Sequence, residues 1–427
     1  MSRRRFLTVA GAAAGAATLA GCGGFSTGGD SAAADPDTLK FTLWGQDSEV
    51  AAFKSLAEKF KQRENVTVAI NNVPFSEVRQ NVDAGLQSGR APDLFRVTYN
   101  DLGIYGSQGA LLELDQYLPE GYAKAFTPAL WKAVTPGGKV VGVPHHTDTS
   151  MILYNKAAMA AAGVTPPTSP DDAWTQEEFL DVARKIKGKA GTKYAFGVNW
   201  QKAGAYRWLN WVFQDGGRLL SPDLKSAAID SDQGRKALQL TQSFFTDGLV
   251  PPTTSTKGTY TDEIFPSGTI AMVFAGDFLL AGLQPLIKKF EWGATFLPVG
   301  QRASADLGGN AVVATKDTKN KEAAAKFLQF LADEGNMADF CAKTNVLPTR
   351  TALAGKDLQF ADRPDLMKLY VQQAQSINPD DVAQVTVPAF SAINNVLVEQ
   401  LERAFVSKTD PGKGLADLAA AVDKQLK

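Results

Sequence analysis

The sequence predicts an α/β protein built as two lobes, and three observations carry that prediction. Strand-period and helix-period segments alternate along the chain from residue 39 onward. A length of 427 residues without repeats or long low-complexity tracts exceeds what one hydrophobic core supports, so two or more domains are expected. Residues 139–156, KVVGVPHHTDTSMILYNK, hold a polar centre between two short apolar strands, 140–143 and 151–154. Pro144 should open a turn there, because proline ends ladder pairing. Both histidines of the chain, His145 and His146, follow it, with Asp148, Thr149 and Ser150 close behind. Polar groups concentrated between buried strands must face water or converge on something. A small hairpin is the plain alternative. The reading adopted is a crossing from one lobe to the other, with its polar middle at the mouth of a cleft.

The chain opens with a charged stretch, Arg3-Arg4-Arg5, and an alanine-rich apolar run over residues 8–20. That run is shorter than the ~20 apolar residues a membrane span needs, but it suits the core of a signal peptide. The S-R-R-x-F-L order resembles a twin-arginine export signal. Leu19-Ala20-Gly21-Cys22 is similar to a bacterial lipobox, which predicts cleavage before Cys22 and lipid on its thiol. Two acyl chains anchor stably where one does not, so a diacylated Cys22 would hold the protein on the outer face of the cytoplasmic membrane. Residues 22–37, rich in Gly, Ser, Ala and Asp, read as a flexible tether.

The elements then follow in order. Leu39, Phe41 and Leu43 alternate with Lys40, Thr42 and Trp44 at strand period. Val50, Phe53, Leu56, Ala57 and Phe60 form a helical stripe. A strand at 66–70, a helix through Val78, Val82 and Leu86, and a strand at 93–97 repeat the βα unit. Such units imply a parallel sheet covered on both faces, with ligands at the carboxyl ends of its strands. Beyond the crossing come a helix at 156–162 stopped by Gly163, a capping box at Thr175 opening a helix to about residue 187, and a strand at 194–198. Helices at 205–213 and 231–245, a strand at 269–274 and a helix at 277–290 follow. Strands at 292–298 and 310–314 flank a loop, and from residue 320 the chain reads as amphipathic helix broken at Pro348 and Pro388.

Composition narrows the function. Without Arg3, Arg4 and Arg5 the mature chain is mildly acidic, since 44 Lys+Arg already stand against 45 Asp+Glu. Nucleic-acid binding is not expected. With Cys22 lipidated, Cys341 is the remaining thiol of two cysteines, so no internal disulfide forms. Neighbouring histidines on an extended chain point apart and have no third histidine to join them, so neither a metal nor a cofactor is expected.

From residue 39 onward the chain resembles the extracellular solute-binding proteins of ABC importers, in the carbohydrate branch that includes maltose-binding protein. The resemblance is carried by KFTLWGQ, APDLFRVTYNDLGIYGSQGALLELDQYL, VGVPHHTDTSMILYNKAAMAAAGV, WTQEEFLDVARKI, FPSGTIAMVFAGDFLLAGL, GGNAVVAT, KEAAAKFLQFL and NVLPTR, in that order. It implies two hinge-linked α/β lobes that close on a ligand, as in periplasmic binding proteins, residues 38–146 with 309–348 forming one and 147–308 with 349–427 the other. It implies ligand contacts at Trp44 and Gln46, Tyr99 and Asn100, Asp148, Trp200, Trp208 and Trp211, Asp277 and Phe278, and Gly309 and Asn310. The family often has tryptophan where this chain has Phe278. The partners implied are a carbohydrate and the permease of an ABC importer, with the binding protein a monomer.

The residue types agree with that implication. Sugar C–H faces pack against flat aromatic rings, and hydroxyls pair with Asp, Asn and Gln. Competing readings stand beside each residue: Trp208 and Trp211 are three apart on a helix, so at least one belongs to the core, Asp148 could cap the turn or bond backbone, and Asn310 could simply start its strand. A polysaccharide-active enzyme would need two carboxylates about 5–10 Å apart. Asp47/Glu49 and Asp262/Glu263 are pairs of neighbours that also read as solvated charges. A binder of a phosphorylated polyol would want Arg207 or Arg350 at the site. The anchor is directly testable: Cys22→Ser should move the protein from the membrane fraction into the soluble fraction with ligand binding intact, and retention on membranes would end the lipoprotein reading.

Overall fold

The computed structural model describes residues 37–427, so the signal segment, Cys22 and the tether lie outside the described residues. Nine strands form two sheets. The first is ordered β2-β1-β3-β9-β4, built from β1 (Thr38–Leu43), β2 (Thr67–Asn72), β3 (Leu94–Thr98), β4 (Gly142–His146) and β9 (Asn310–Ala314). The second is ordered β6-β7-β5-β8, from β5 (Ser150–Asn155), β6 (Tyr194–Gly197), β7 (Ile270–Gly276) and β8 (Trp292–Thr295). Helices cover both sheets, as the alternating pattern predicts.

The first sheet corrects the expectation of an all-parallel arrangement. β1 runs parallel to β2 and β3, but β9 inserts antiparallel between β3 and β4, with Asn310 opposite Thr98 and Ala314 opposite Leu94. The reason is the direction of arrival. β9 returns from the second sheet and starts where β3 ends, so it must run back along it.

Phe41 of β1 faces helices Asp47–Glu64 and Lys321–Leu331, with ring centroids 5.3 Å from Phe53 and 6.0 Å from Phe327. Phe95 of β3 faces the opposite layer and meets Tyr105 of helix Tyr99–Ser107 at 5.0 Å. In the second sheet, Leu153 and Val273 share a core with Leu366, Met367 and Tyr370 of helix Pro364–Gln373. Ile152, Met272 and Phe274 belong instead to the larger core with Phe179, Phe196 and Trp211. Period-two alternation of strand side chains produces both layers.

The stretch at 139–156 is a crossing and no hairpin, because β4 and β5 belong to different sheets. Pro144 opens no turn. It pairs with Ala311 inside β4, and a register shift between Pro144 and His146 accommodates it. Both histidines therefore end a strand and are buried. The segment at 277–290 is also shorter than its pattern predicts, giving helix Leu280–Leu283 after a single turn at Asp277–Leu279. Pro285 cannot continue the helix.

Three segments pass between the sheets side by side. Thr147 and Leu347 exchange both backbone hydrogen bonds, at 2.8 and 2.9 Å. Gly308 N–H donates to Asp148 O at 3.1 Å, and Thr147 Oγ1 donates to Gly308 O at 3.1 Å. A Cβ on Gly308 would lie 1.7 Å from Asp148 Oδ1. One on Gly309, whose φ is +90°, would lie 2.4 Å from Thr147 Cα. The C-terminal segment adds a brace. Helix Pro379–Gln384 packs on helix Pro128–Ala133, and Arg79 Nη1 donates to Ser391 Oγ at 2.7 Å.

Gly309→Ala should therefore destabilise the protein by about 2 kcal/mol or more in denaturant unfolding, combining a left-handed backbone with a clash. Gly282→Ala, in open helical space, serves as the near-neutral control. Equal midpoints for the two variants would contradict the tight crossing.

Candidate functional site

The carboxyl ends of β1 and β3 meet at Arg96, a residue of β3 that is 3% exposed. Its Nη2 lies 2.6 Å from Glu49 Oε1, and its Nη1 donates to Trp44 O at 2.5 Å. Its guanidinium sits 4.7 Å from the Trp44 ring centroid, so the half-buried indole is held by charge on one face and by Phe75, at 5.2 Å. Glu49 reaches this point because it closes the start of helix Asp47–Glu64, where its Oε2 accepts from Gln46 N–H at 3.0 Å. Gln46 itself is exposed.

The histidines extend the same network. With the Asn310 amide turned so that its oxygen faces donors, that oxygen accepts from Arg96 Nη2 and His146 Nε2, each at 3.0 Å. Arg96 Nη2 also lies 3.0 Å from His146 Nε2, and the Nδ1 atoms of His145 and His146 share a hydrogen bond at 3.2 Å. His145 lies between Phe53 and Phe340, at 5.1 and 4.4 Å, with its Nε2 unpartnered. Burial, aided by the charge of Arg96, pushes His145 down to about 3 and His146 well below the usual histidine value. Both are neutral and structural. Tyr99 OH donates to His146 O at 3.0 Å, and Asn100 beside it keeps a buried Oδ1 without a partner.

The second sheet supplies carboxylates. Thr149 N–H donates to Asp277 Oδ1 at 2.9 Å, at the end of β7. Asp306 accepts from Ser150 N–H at 3.2 Å, Ser150 Oγ at 3.0 Å, Arg207 Nε at 2.9 Å and Asn210 Nδ2 at 3.3 Å. Asn199, just past β6, donates to Ser150 Oγ at 2.7 Å. Asp148 is left with the Gly309 amide and with Arg207 Nη2, the latter at 4.0 Å, too far for a hydrogen bond. Burial outweighs that attraction and pushes its carboxyl up to about 6. Asp277 is raised well above the usual range, first by burial and then by the charge of Asp148. Asp148 Oδ1, Thr149 Oγ1 and Asp277 Oδ2 have no hydrogen-bond partner. The space enclosed by Ser150, Asn199, Trp200, Arg207, Trp211 and Asp306 is about 10 Å³, roughly one water, so a larger molecule enters only as the walls part.

The structure thus gathers Trp44, Tyr99, Asn100, Asp148, Asp277, Phe278, Gly309 and Asn310 around the strand ends and the crossing, with Phe278 packed against the core of the first sheet. The three tryptophans of the second sheet differ. Trp208 is fully buried and donates through Nε1 to Thr241 Oγ1 at 3.0 Å, which places it in the core. Trp200 and Trp211 each reach the small enclosed space by one edge, but both pack against Phe244, at 6.2 and 5.3 Å. Arg350 lies elsewhere, over the rings of Phe126 and Tyr122. Arg96, Asn210 and Asp306 are additions. A charge inside the apolar run LFRV was the available signal for Arg96, whereas nothing local marks Asp306.

The buried imidazoles set a pH dependence. A histidine near 3 when folded and ~6.5 when unfolded contributes stability above pH 6.5 that is lost as pH falls toward 3, because the unfolded chain binds the extra proton. Asp148, raised when folded, works in the opposite direction below pH 6. His145→Phe fits the same aromatic cage and should reduce the stability lost between pH 6.5 and 4.5 by about 2 kcal/mol in urea unfolding. An unchanged slope would mean that His145 is charged in the fold.

The family of bacterial extracellular solute-binding proteins matches residues 44–338. The maltodextrin-binding protein of Bacillus subtilis is 25% identical over 355 residues, covering 80% of this chain and 81% of its own. The sn-glycerol-3-phosphate-binding periplasmic protein of Salmonella typhimurium is 24% identical over 404 residues, covering 84% and 86%. In fold, the chain is similar to an ABC transporter solute-binding protein from Thermotoga lettingae bound with α-D-tagatose, at a TM-score of 0.76 and 23% identity, covering 92% of this chain and 100% of that one. The two sheets with their covering helices are the two α/β lobes of such periplasmic binding proteins. A family match over more than half the length, with this fold, makes the chain a member of the bacterial extracellular solute-binding proteins, a family of binding proteins rather than enzymes.

Proposed function

We propose that the protein captures a carbohydrate between its two lobes and delivers it to the permease of an ABC importer, held outside the cytoplasmic membrane by lipid on Cys22. The lobes are residues 38–146 with 309–348 and residues 147–308 with 349–427, and the crossing at Thr147, Gly308 and Leu347 is the hinge. The protein acts as a monomer.

The observation that carries this reading is the set of buried acceptors without partners where strand ends from both sheets meet: Asn100 Oδ1, Asp148 Oδ1 and Asp277 Oδ2. Hydroxyl groups of a sugar are the donors such atoms lack. Trp44, just past β1, adds a half-buried indole. The maltodextrin-binding relative and the tagatose-bound neighbour support the same reading. Among the described residues no helix is long and apolar enough to cross a membrane.

A phosphorylated polyol fits less well. Arg207 is already engaged by Asp306 at 2.9 Å, and Arg350 is not at the site. Hydrolysis fits less well too, because Glu49 of the Asp47/Glu49 pair is held by Arg96.

Calorimetric titration with mono- and oligosaccharides tests the reading. Trp44→Ala and Asp148→Ala should each weaken the best ligand by about ten- to a hundredfold, or 1–3 kcal/mol, with little change in melting temperature. The sugars should be recovered intact after incubation. Normal affinity in a variant that melts far earlier would make that residue structural, and cleavage of the sugars would make the protein an enzyme.

A further inference from the structure

We propose that the ligand is a basic sugar, an amino sugar whose ammonium group lies between Asp148 and Asp277. This inference rests on the carbohydrate reading above and narrows its substrate class.

The argument begins with which atoms lack partners. Asn100 Oδ1 is an acceptor, Asp148 Oδ1 and Asp277 Oδ2 are acceptors when their carboxyls are ionised, and Thr149 Oγ1 can act either way. Asp148 is 7% exposed and Asp277 fully buried. The site asks for donors, and it offers an incoming molecule very few.

Charge sharpens the demand. Three buried carboxylates, Asp148, Asp277 and Asp306, converge on the start of β5. Arg207 is the cation among them, and its Nε is committed to Asp306 at 2.9 Å while its Nη2 stands 4.0 Å from Asp148. Arg96, the next cation, is bound to Glu49 at 2.6 Å. Asp148 faces Arg207, Asp306, Asp277, Arg96, the Gly309 amide, Tyr99 and Tyr206. Asp277 faces Asp148, Asp306, the Thr149 amide, Tyr370 and Cys341. Counting formal charges, three carboxylates against the single guanidinium of Arg207, already paired with Asp306, leave an excess of negative charge. A phosphorylated or acidic sugar would add to it.

Neutral hydroxyls would fill lone pairs and leave the charges uncompensated in a dry site, which is costly. An ammonium group supplies three donors and one positive charge to the same atoms. In its absence the pair relieves itself by holding a proton, and the Asp148 carboxyl near 6 is the sign of that.

The two alternatives differ in the sign of their pH response. An ammonium ligand needs the ionised carboxylate and displaces the proton, so its affinity should rise by about tenfold between pH 5 and pH 7 for a group near 6. A neutral sugar has no such need, and burying the carboxyl behind it favours the protonated form, so its affinity should stay level or fall over that range.

The test is calorimetric titration of the mature chain with glucosamine, N-acetylglucosamine and glucose, each as monosaccharide and disaccharide, and with maltotriose, at pH 5 and pH 7. Glucosamine or its disaccharide should bind at least about tenfold tighter than its acetylated and hydroxyl counterparts at pH 7, with the rise from pH 5 described above. Asp148→Asn and Asp277→Asn should each erase that preference. The acetylation and pH comparisons use the unaltered protein, so the inference stands or falls even if a variant does not fold. A neutral sugar that binds as tightly as glucosamine, with no rise toward pH 7, overturns the inference and leaves the carbohydrate reading standing. Binding of none of the panel overturns both.

Discussion

Thr147 trades two backbone hydrogen bonds with Leu347 while Gly308 and Gly309 press against its other side, and most of the architecture depends on that contact. Among the described strands none is shared between the sheets. What joins them is three strands' worth of backbone plus the C-terminal brace. Hydrogen-bonded backbone at a crossing limits the chain to bending about a narrow line. The glycines set how close the segments lie, since a single methyl at either position would occupy space already taken by Thr147 or Asp148. That closeness buries Asp148, and burial in turn gives its carboxyl an unusual affinity for protons.

Each lobe brings one arginine to this region and uses it locally. Arg96 is consumed by Glu49, the Trp44 carbonyl and Asn310, which ties β1, β3 and β9 into one rigid end. Arg207 is consumed by Asp306, which pins the loop before β9 to the start of β5. Removing one partner of a buried pair leaves a stranded charge and costs about 3–5 kcal/mol, so these arginines are placed for geometry before affinity. Asp148 and Asp277 remain outside such pairs, each with a carboxyl oxygen that has no hydrogen-bond partner.

Most of the elements were readable from periodicity and capping. The Thr175 capping box, the Gly163 stop and the β9 boundaries all appear where the residues place them. The failures have physical causes. Local pattern reports which side of a strand is apolar but not which neighbour it pairs with, so the antiparallel insertion of β9 was invisible. Pro144 was read as a turn because proline usually ends pairing, yet a bulge lets it stay inside β4. Among the candidate residues, Trp44 and Asn100 follow from the fold class as strand ends, whereas Asp277 follows only from the resemblance. Asp306 was not legible, because its role exists only once a loop and Arg207 from a distant helix have met.

The position of β9 also has a consequence for how the chain reaches its native state. β3 waits for a partner that lies more than two hundred residues further along, since residues 310–314 fill the gap between it and β4. Until those residues are synthesised, β3 presents an open edge bearing Leu94, Phe95 and Val97, a template for unwanted pairing between chains. Contacts of such long sequence separation form slowly, and the half-built first sheet is the state most exposed to aggregation. Biogenesis of this protein therefore favours conditions that shield the nascent first lobe until the second has been made and the chain has come back.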